Sequence, residues 1–220
     1  RKKDGFLNII SIFSFIGISL GVAVLIIVMS VMNGFRTELI NKIVGFNPHI
    51  TVKPYESNYI NPARFNSPEL NSISKNLISS NTSEAIVINN NNSKGIILRG
   101  YKSNDFSKLS IINNKNFLGN KKNLINNNIS ISKELSFILD VKIGDNISLM
   151  SSSGIDTIIG SLPKQKVFKV VSLFESGLID FDSNIVFMNL DTLEEFSNLK
   201  NSDRNLEIYL KNPQNIENQK

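Results

Sequence analysis

The side chains that could carry out chemistry in this chain are few and widely spaced. His49 is the one histidine, and no partner stands at a spacing that would make it part of a metal or catalytic site. Asp180 and Asp182 could form an acid–base pair, but two carboxylates in a turn before a strand more often hold that turn. The absence of cysteine excludes disulfides, thiolate metal sites and a cysteine nucleophile. We therefore expect no self-contained enzyme, and a structural or surface role for His49.

The sequence also lacks nucleotide-binding motifs. It contains neither a phosphate-binding loop of the G-x-x-x-x-G-K-[ST] type nor a dinucleotide fingerprint, and "LGNKKN" is only a loop that bears lysines. The net charge of +5 is scattered along the chain, whereas nucleic-acid binding would require basic residues gathered on one element. These patterns predict a solvated surface and no nucleic-acid partner.

A long segment near the start of the chain carries no charged side chain between Gly5 and Phe35. A hydrocarbon core of about 30 Å requires about 20 apolar residues in a helix, so the segment predicts a transmembrane helix. A signal peptide is the alternative, but its apolar region spans about 7–15 residues, and no small-residue cleavage site follows Met32. Because basic residues 1–3 precede the segment, the positive-inside rule puts the chain after about residue 35 outside the cytoplasm.

Two patterns mark this predicted helix. Gly17 and Gly21 form a G-x-x-x-G motif, which allows close approach of another helix. Val24, Val28 and Met32 recur every four residues and so form one stripe. The stripe could face lipid, a partner helix or a bound acyl chain, and periodicity does not choose among them.

The helix is predicted to continue as an amphipathic stalk. The pattern from Asn33 to Val44 keeps the helical period, and Glu38 and Lys42 have the spacing of an ion pair. Gly45 is the predicted end of the helix. Such a stalk would join the membrane to whatever follows it.

The remaining chain predicts an α+β fold rather than a regular βαβ series. Alternating apolar residues predict strands at residues 49–53, 84–89, 95–101, 146–152, 166–174, 183–190 and 205–211. Helices are predicted at 66–80, after residue 131, and from a capping box that begins at Asp191. Asparagine runs at 89–93 and 126–128 predict loops.

One predicted loop combines turn residues with large aliphatic side chains. It covers residues 151–166 between two strands. Its glycines and proline indicate a loop, and apolar side chains on a projecting loop are typical of an interaction site. Packing of these side chains onto the core is the alternative. The residues concerned are Gly154, Ile155, Ile158, Ile159, Gly160, Leu162 and Pro163.

Several stretches together resemble one family, the LolC/LolE permeases of lipoprotein-releasing ABC transporters. "IGISLGVAVLIIVMSVMNGFRTEL" followed by "FNPHI" is similar to their first membrane helix and stalk. "ISKELSFILDVKIGDNISLMS", "GSLPKQKVF" and "VVSLFESGLIDFDSNIVFMNL" resemble their extracytoplasmic domain in the same order. The resemblance implies the N-terminal fragment of a four-helix permease, with its domain between helices one and two.

The resemblance also implies a division of the chain. Residues 1–45 would be the transmembrane helix and stalk. A two-lobed MacB-like periplasmic domain would follow, with a porter-like lobe at 46–104 and 203–220 and an inserted lobe at 105–202.

Specific sites come with the resemblance. A hook segment, residues 155–166, would bind a LolA-like periplasmic lipoprotein chaperone through Ile155, Ile158, Ile159, Gly160, Leu162, Pro163 and Gln165. Ile158 stands where relatives often have proline. The lipoprotein acyl chains would lie against Val24, Val28, Val31 and Met32, and Gly17 and Gly21 would pack against another helix.

The resemblance implies a non-catalytic subunit of the bacterial inner membrane, with residues after about 35 in the periplasm. The chain itself would hold no cofactor, and ATP and Mg²⁺ would bind a LolD-like ATPase subunit. Further partners would be a second permease subunit, either the same chain or a paralogue, the lipoprotein and membrane lipid. The hook segment favours a LolC-like over a LolE-like role. The alternatives are another MacB/FtsX-type permease and a single-pass membrane-anchored receptor or binding domain.

Overall fold

The computed structural model describes residues 3–55, 59–90, 92–157, 160–211 and 213. The chain divides into two compact units, residues 1–43 and 44–220, which are described in turn.

The first unit consists of most of one helix, α1 (Lys3–Phe46). Its 44 residues correspond to a length of about 66 Å at about 1.5 Å per residue, roughly twice the thickness of a hydrocarbon core. Residues 8–44 are long and apolar enough to span a membrane, and none of their most apolar window is buried within the described part of the chain. Glu38 Oε1 and Lys42 Nζ lie 4.0 Å apart, which confirms the predicted ion pair. The prediction that Gly45 ends the helix is wrong, because α1 continues through Phe46.

The second unit is an α+β domain, as the sequence predicts. Its described strands are β1 (Ile50–Val52), β2 (Ser74–Asn89), β3 (Asn92–Tyr101), β4 (Leu118–Gly119), β5 (Asn128–Ser132), β6 (Asn146–Thr157), β7 (Gly160–Phe174), β8 (Ile185–Asn189) and β9 (Asn205–Leu210). Its described helices are α2 (Pro68–Ile73), α3 (Ser103–Phe106), α4 (Lys133–Leu139), α5 (Ile179–Asp182) and α6 (Leu190–Ser197). Short 3₁₀ turns lie at Pro62–Phe65, Ser110–Asn113 and Asn201–Asp203.

Six strands close into a ring in the order β2-β3-β8-β5-β7-β6, because β6 pairs with both β7 and β2. Alternate side chains of a closed sheet point inward, and here they form a continuous apolar core. Leu135 and Leu139 of α4 and Leu193 and Phe196 of α6 belong to the same core and are almost completely buried. The fold is therefore a small barrel filled by side chains.

Two further clusters lie outside the ring. Aromatic residues dominate the first, in which the rings of Phe174 and Phe187 lie 4.8 Å apart and Phe46 packs 4.3 Å from Phe181. The second cluster lies under α2, where Leu206, Ile208 and Leu210 of β9 are buried. The strand β9 pairs with β1 and β2, so the end of the domain returns to its beginning. The division into two lobes stays a prediction, since one sheet connects all these strands.

Three further local predictions in the second unit differ from the structure. The helix predicted at 66–80 ends at Ile73, and from Ser74 the chain is strand β2, because its backbone pairs with β9 on one edge and β3 on the other. Helix α6 begins at Leu190, and its N-cap lies two residues before the predicted one. Asn189, not Asp191, is its N-cap, accepting hydrogen bonds from the backbone N–H groups of Asp191 and Thr192. The asparagine run at 126–128 was predicted to be a loop, yet its last residue opens β5.

Candidate functional site

The predicted loop at 151–166 is instead the outer part of a long β-hairpin. Strands β6 and β7 pair from Asn146 opposite Lys169 to Thr157 opposite Gly160, with a bulge between Met150 and Gly154. The prediction of a loop is wrong because the aliphatic residues among the turn residues favour strand pairing. Within the described pairings, β6 contacts β2 only at residues 148–151, so the hairpin from Gly154 outward is a two-stranded ribbon.

Most of the hook segment lies on this ribbon. Leu162 stands opposite Ile155, Pro163 stands opposite Gly154, and the side chain of Leu162 is 55% exposed. Gly160 has φ +125°, a conformation that glycine adopts without strain. Ile158 and Ile159 of the hook segment lie outside the described residues.

Hydrogen bonds hold the base of the hairpin to the barrel. The ammonium group of Lys164 donates to the backbone carbonyl of Glu195 in α6 at 2.7 Å. Gln165 Nε2 donates to Ser148 Oγ across the hairpin at 2.7 Å. The hydroxyl of Ser152 donates to the carbonyl of Glu84 in β2 at 3.0 Å. The barrel therefore presents the ribbon from a fixed base.

An apolar groove lies on the outer face of the barrel beside this base. It has a volume of about 510 Å³ and is formed by β2, β3 and β6. Ile86 and Ile97 line it and are 40% and 38% exposed, and Gly95 between them has open space where a Cβ would stand. The sequence patterns did not predict this groove. Its signal was the presence of aliphatic residues on both faces of "EAIVIN" and "GIILRGY".

The site residues predicted on α1 share one face of the helix. At about 100° per residue, Gly17, Gly21, Val24, Val28, Val31 and Met32 fall within an arc of about 100°. A Cβ added at Gly17 or Gly21 would meet nothing within 4 Å. The valines and the methionine are between 51% and 67% exposed. This face of the described chain is thus flat at the glycines, apolar at the valines and uncovered throughout.

His49 and Asp182 have the structural roles predicted for them. His49 Nδ1 accepts a hydrogen bond from the backbone N–H of Leu210 at 2.7 Å, and Nε2 lies 3.0 Å from the carbonyl of Val44. The carboxylate of Asp182 accepts from the backbone N–H groups of Ser176 and Gly177 at 3.0–3.1 Å, which holds the turn before α5. Neither side chain has the partners of a catalytic group. No cluster of three metal-ligating side chains occurs among the described residues.

Among the described residues of the second unit, the most buried charge is Glu207 of β9, which is 3% exposed. Its carboxylate accepts hydrogen bonds from Ser80 at 2.7 Å, Tyr101 at 3.0 Å and Tyr209 at 2.9 Å, and Arg99 Nη2 lies 3.6 Å away. Burial raises the pKa of both tyrosines, and the negative charge of Glu207 raises each further, so both remain hydrogen-bond donors. Burial acts to lower the pKa of Arg99, but its neighbours outweigh this effect and raise it.

A second buried carboxylate, Glu194 of α6, is held by Arg204. The guanidinium donates twice to this carboxylate, at 2.7 Å from each nitrogen, and once to Asp191 at 3.0 Å. Hydrogen bonding to Glu194 raises the pKa of Arg204. Both networks join β9 and its flanks to the barrel, which is a structural arrangement rather than an active site.

Comparison with known proteins gives matches over nearly the whole chain. Residues 11–218 match the family described as MacB-like periplasmic core domain. The chain is 31% identical over 212 residues to the lipoprotein-releasing system transmembrane protein LolC of Buchnera aphidicola subsp. Acyrthosiphon pisum, covering 94% of this chain and 52% of that protein. It is 26% identical over 220 residues to LolC of Neisseria meningitidis serogroup B, which covers 98% of this chain and 52% of that protein. It is 28% identical over 194 residues to LolE of Haemophilus influenzae, which covers 82% of this chain and 45% of that protein.

The chain thus spans about half the length of the curated relatives that it matches.

Among solved structures, the extracellular domain of the ABC-type transporter YknZ from Gram-positive bacteria aligns with a TM-score of 0.43 at 14% identity, covering 77% of this chain and 88% of that one. The periplasmic region of MacB from Actinobacillus actinomycetemcomitans aligns with a TM-score of 0.43 at 10% identity, covering 79% of each chain.

Proposed function

Because the chain belongs to the MacB-like periplasmic core domain family, we propose that it is the N-terminal part of a permease subunit of a lipoprotein-releasing ABC transporter. The observation that carries this proposal is the similarity to LolC proteins across both the apolar helix and the domain that follows it. The subunit would lie in the bacterial inner membrane, with the domain in the periplasm. It would extract lipoproteins and transfer them to a soluble chaperone.

The exposed face of α1 supports a role in sheltering lipid tails. Each buried CH₂ group contributes about 0.8 kcal/mol, so one acyl chain with about 15 such groups would cost about 12 kcal/mol to expose to water. Several chains on one lipoprotein would cost tens of kcal/mol. Val24, Val28, Val31 and Met32 form an uncovered apolar surface against which such chains could remain shielded.

The ribbon supports a role in holding the chaperone. Its described tip carries the exposed side chain of Leu162, and the hydrogen bonds at its base fix where that tip stands on the barrel. A projecting apolar group on a rigid base presents contact area with little loss of conformational entropy on binding. We assign chaperone binding to the hook segment on these grounds.

The energy for release would come from other subunits. The sequence has no phosphate-binding loop, so ATP and Mg²⁺ would bind a separate LolD-like ATPase, and this chain would be non-catalytic. A second permease subunit, either another copy or a paralogue, would complete the membrane part. Gly17 and Gly21 would be the position of closest approach between α1 and a neighbouring helix.

Site-specific photocrosslinking in the complete transporter tests this proposal. A crosslinker at Leu162 should capture the chaperone, and one at Met32 should capture the lipoprotein. Two exposed residues serve as matched controls: Leu118, which pairs with Leu173 at the end of β7 away from the hairpin tip, and Ile26, about 200° around the helix from Val24. Both controls should give at most weak adducts. Absence of adducts at Leu162 and Met32 in a complex that hydrolyses ATP would contradict the proposal and favour a different MacB-type substrate.

A further inference from the structure

We propose that His49 is a positioning residue that fastens the end of α1 to the last strand, β9, and thereby transmits movement of the helix to the hook segment. This inference rests on the proposed function and adds to it a specific residue for coupling. The segment concerned, residues 44–49 with their partners, is called the clasp below.

The imidazole of His49 makes one hydrogen bond to the end of α1 and one to strand β9. Its Nδ1 accepts from the N–H of Leu210, so the proton must be on Nε2, which then donates to the carbonyl of Val44. That carbonyl is one of the last four of α1, which have no partner within the helix. His49 therefore caps the helix with one nitrogen and holds β9 with the other. Its own backbone N–H also donates to Ile208 of β9 at 3.1 Å.

Two neighbours strengthen the same junction. The ring of Phe46, the last residue of α1, packs 4.3 Å from Phe181 and is almost completely buried. Asn47 Oδ1 accepts from Arg99 Nη1 of β3 at 3.4 Å, and Arg99 in turn faces Glu207 of β9. The clasp is thus attached to α5, β3 and β9.

A short series of paired strands leads from the clasp to the hairpin. Strand β9 pairs with β2, where Glu207 stands opposite Ile78. Strand β2 pairs with β6, where Ile86 stands opposite Met150, and β6 is one strand of the ribbon. A displacement of the end of α1 that pulls on β9 therefore reaches the hairpin through hydrogen-bonded backbone. At the start of this series, the side chain of His49 joins the end of α1 to β9.

A purely structural role makes a different prediction from a coupling role. If His49 only stabilises the fold, its loss lowers the melting temperature but leaves the amount of lipoprotein released per ATP hydrolysed unchanged in the folded protein. If His49 couples movement of the helix to release, its loss leaves ATP hydrolysis running while the amount of lipoprotein released per ATP falls. The ratio of the two rates separates these roles.

The test uses the full permease with its ATPase in proteoliposomes that contain a lipoprotein, with the soluble chaperone added. His49→Leu removes both side-chain bonds. His49→Asn keeps an acceptor near the position of Nδ1, and His49→Gln keeps a donor near the position of Nε2, so each retains one bond. The matched control is Thr192→Val, which removes a partly buried hydrogen bond of 2.9 Å to the carbonyl of Asn126, outside the clasp.

We expect His49→Leu to lower release per ATP by about tenfold, the factor expected for loss of bonds worth about 1.4 kcal/mol. ATP hydrolysis should change less than twofold. His49→Asn and His49→Gln should give values of release per ATP between those of the wild type and His49→Leu. If His49→Leu fails to fold, these two variants provide the test. Thr192→Val should lose thermal stability but retain the wild-type ratio. A wild-type ratio in all three His49 variants overturns the inference, whereas failure of the wild-type complex to release lipoprotein would overturn the proposed function instead.

Discussion

The replacement of Glu207 by alanine should be among the most destabilising single changes in the domain. The carboxylate is 3% exposed and accepts hydrogen bonds from three side chains, Ser80, Tyr101 and Tyr209, beside the guanidinium of Arg99. Removing one partner of a buried ion pair leaves the other charge without compensation, which costs about 3–5 kcal/mol. Since small domains are stable by about 5–15 kcal/mol, this loss is a large fraction of the total.

The assay is unfolding of the chain by denaturant in detergent, with tyrosine fluorescence as the signal that monitors unfolding. Glu207→Gln keeps the shape and one acceptor oxygen, so it should cost less than Glu207→Ala. Tyr209→Phe removes a single bond to a charged group and should cost about 1.5–3 kcal/mol. A loss below about 1 kcal/mol for Glu207→Ala, the range of exposed pairs, would refute the reasoning that this network is buried and mutually dependent.

The same network predicts a dependence on alkaline pH. The folded state raises the pKa of Tyr101 and Tyr209 above the ordinary value of 10.0, because burial and the negative charge of Glu207 oppose ionisation. The unfolded chain then releases protons first, so stability is fully present below about pH 10 and falls as the pH rises above it. Unfolding measured between pH 8 and pH 11 should show this fall, with a smaller slope in Tyr209→Phe.

Three further changes test the packing and the turns. Gly100→Ala should cost about 1–3 kcal/mol by overpacking, because its Cβ would lie 2.8 Å from Leu193 Cδ2, and a Leu193→Ala second change should relieve part of that cost in thermal unfolding. Arg204→Ala should cost about 3 kcal/mol in denaturant unfolding, because it leaves the buried carboxylate of Glu194 unpaired, and a negligible change would show that solvent reaches this carboxylate. Asp182→Ala should speed amide hydrogen exchange in the turn at 176–177 without global unfolding, and unchanged exchange there would contradict its role as the acceptor.

Local patterns predicted most elements of this fold. The uncharged length of α1, the alternation in β7 and the hairpin of β2 and β3 are all visible in the sequence because each depends on residues close to one another in the chain. The prediction of a helix at 66–80 was wrong because Leu70, Ile73 and Leu77 fit a helical period, whereas pairing with distant β9 decides the outcome. No local pattern carries that information.

Closure of the barrel could not be predicted for the same reason. It depends on four residue pairs between β2 and β6, of which Ala85 opposite Ser151 is the first. The partners in each pair are at least sixty positions apart in the chain. The apolar groove beside the hairpin was missed because it exists only when β2, β3 and β6 are neighbours. The common face of the glycines and valines on α1, in contrast, was implicit in the helical period.

That common face has a geometric consequence for the membrane part. A second helix that crosses α1 at Gly17 and Gly21 with an angle of about 40°, as in other glycine-mediated pairs, diverges steadily from it. Near Met32, about 20 Å further along the axis, the two axes would stand about 15 Å apart, compared with 8–10 Å for ordinary packed helices. On this side of the crossing the helices would then enclose a wedge whose narrow end is glycine and whose widening wall is valine and methionine.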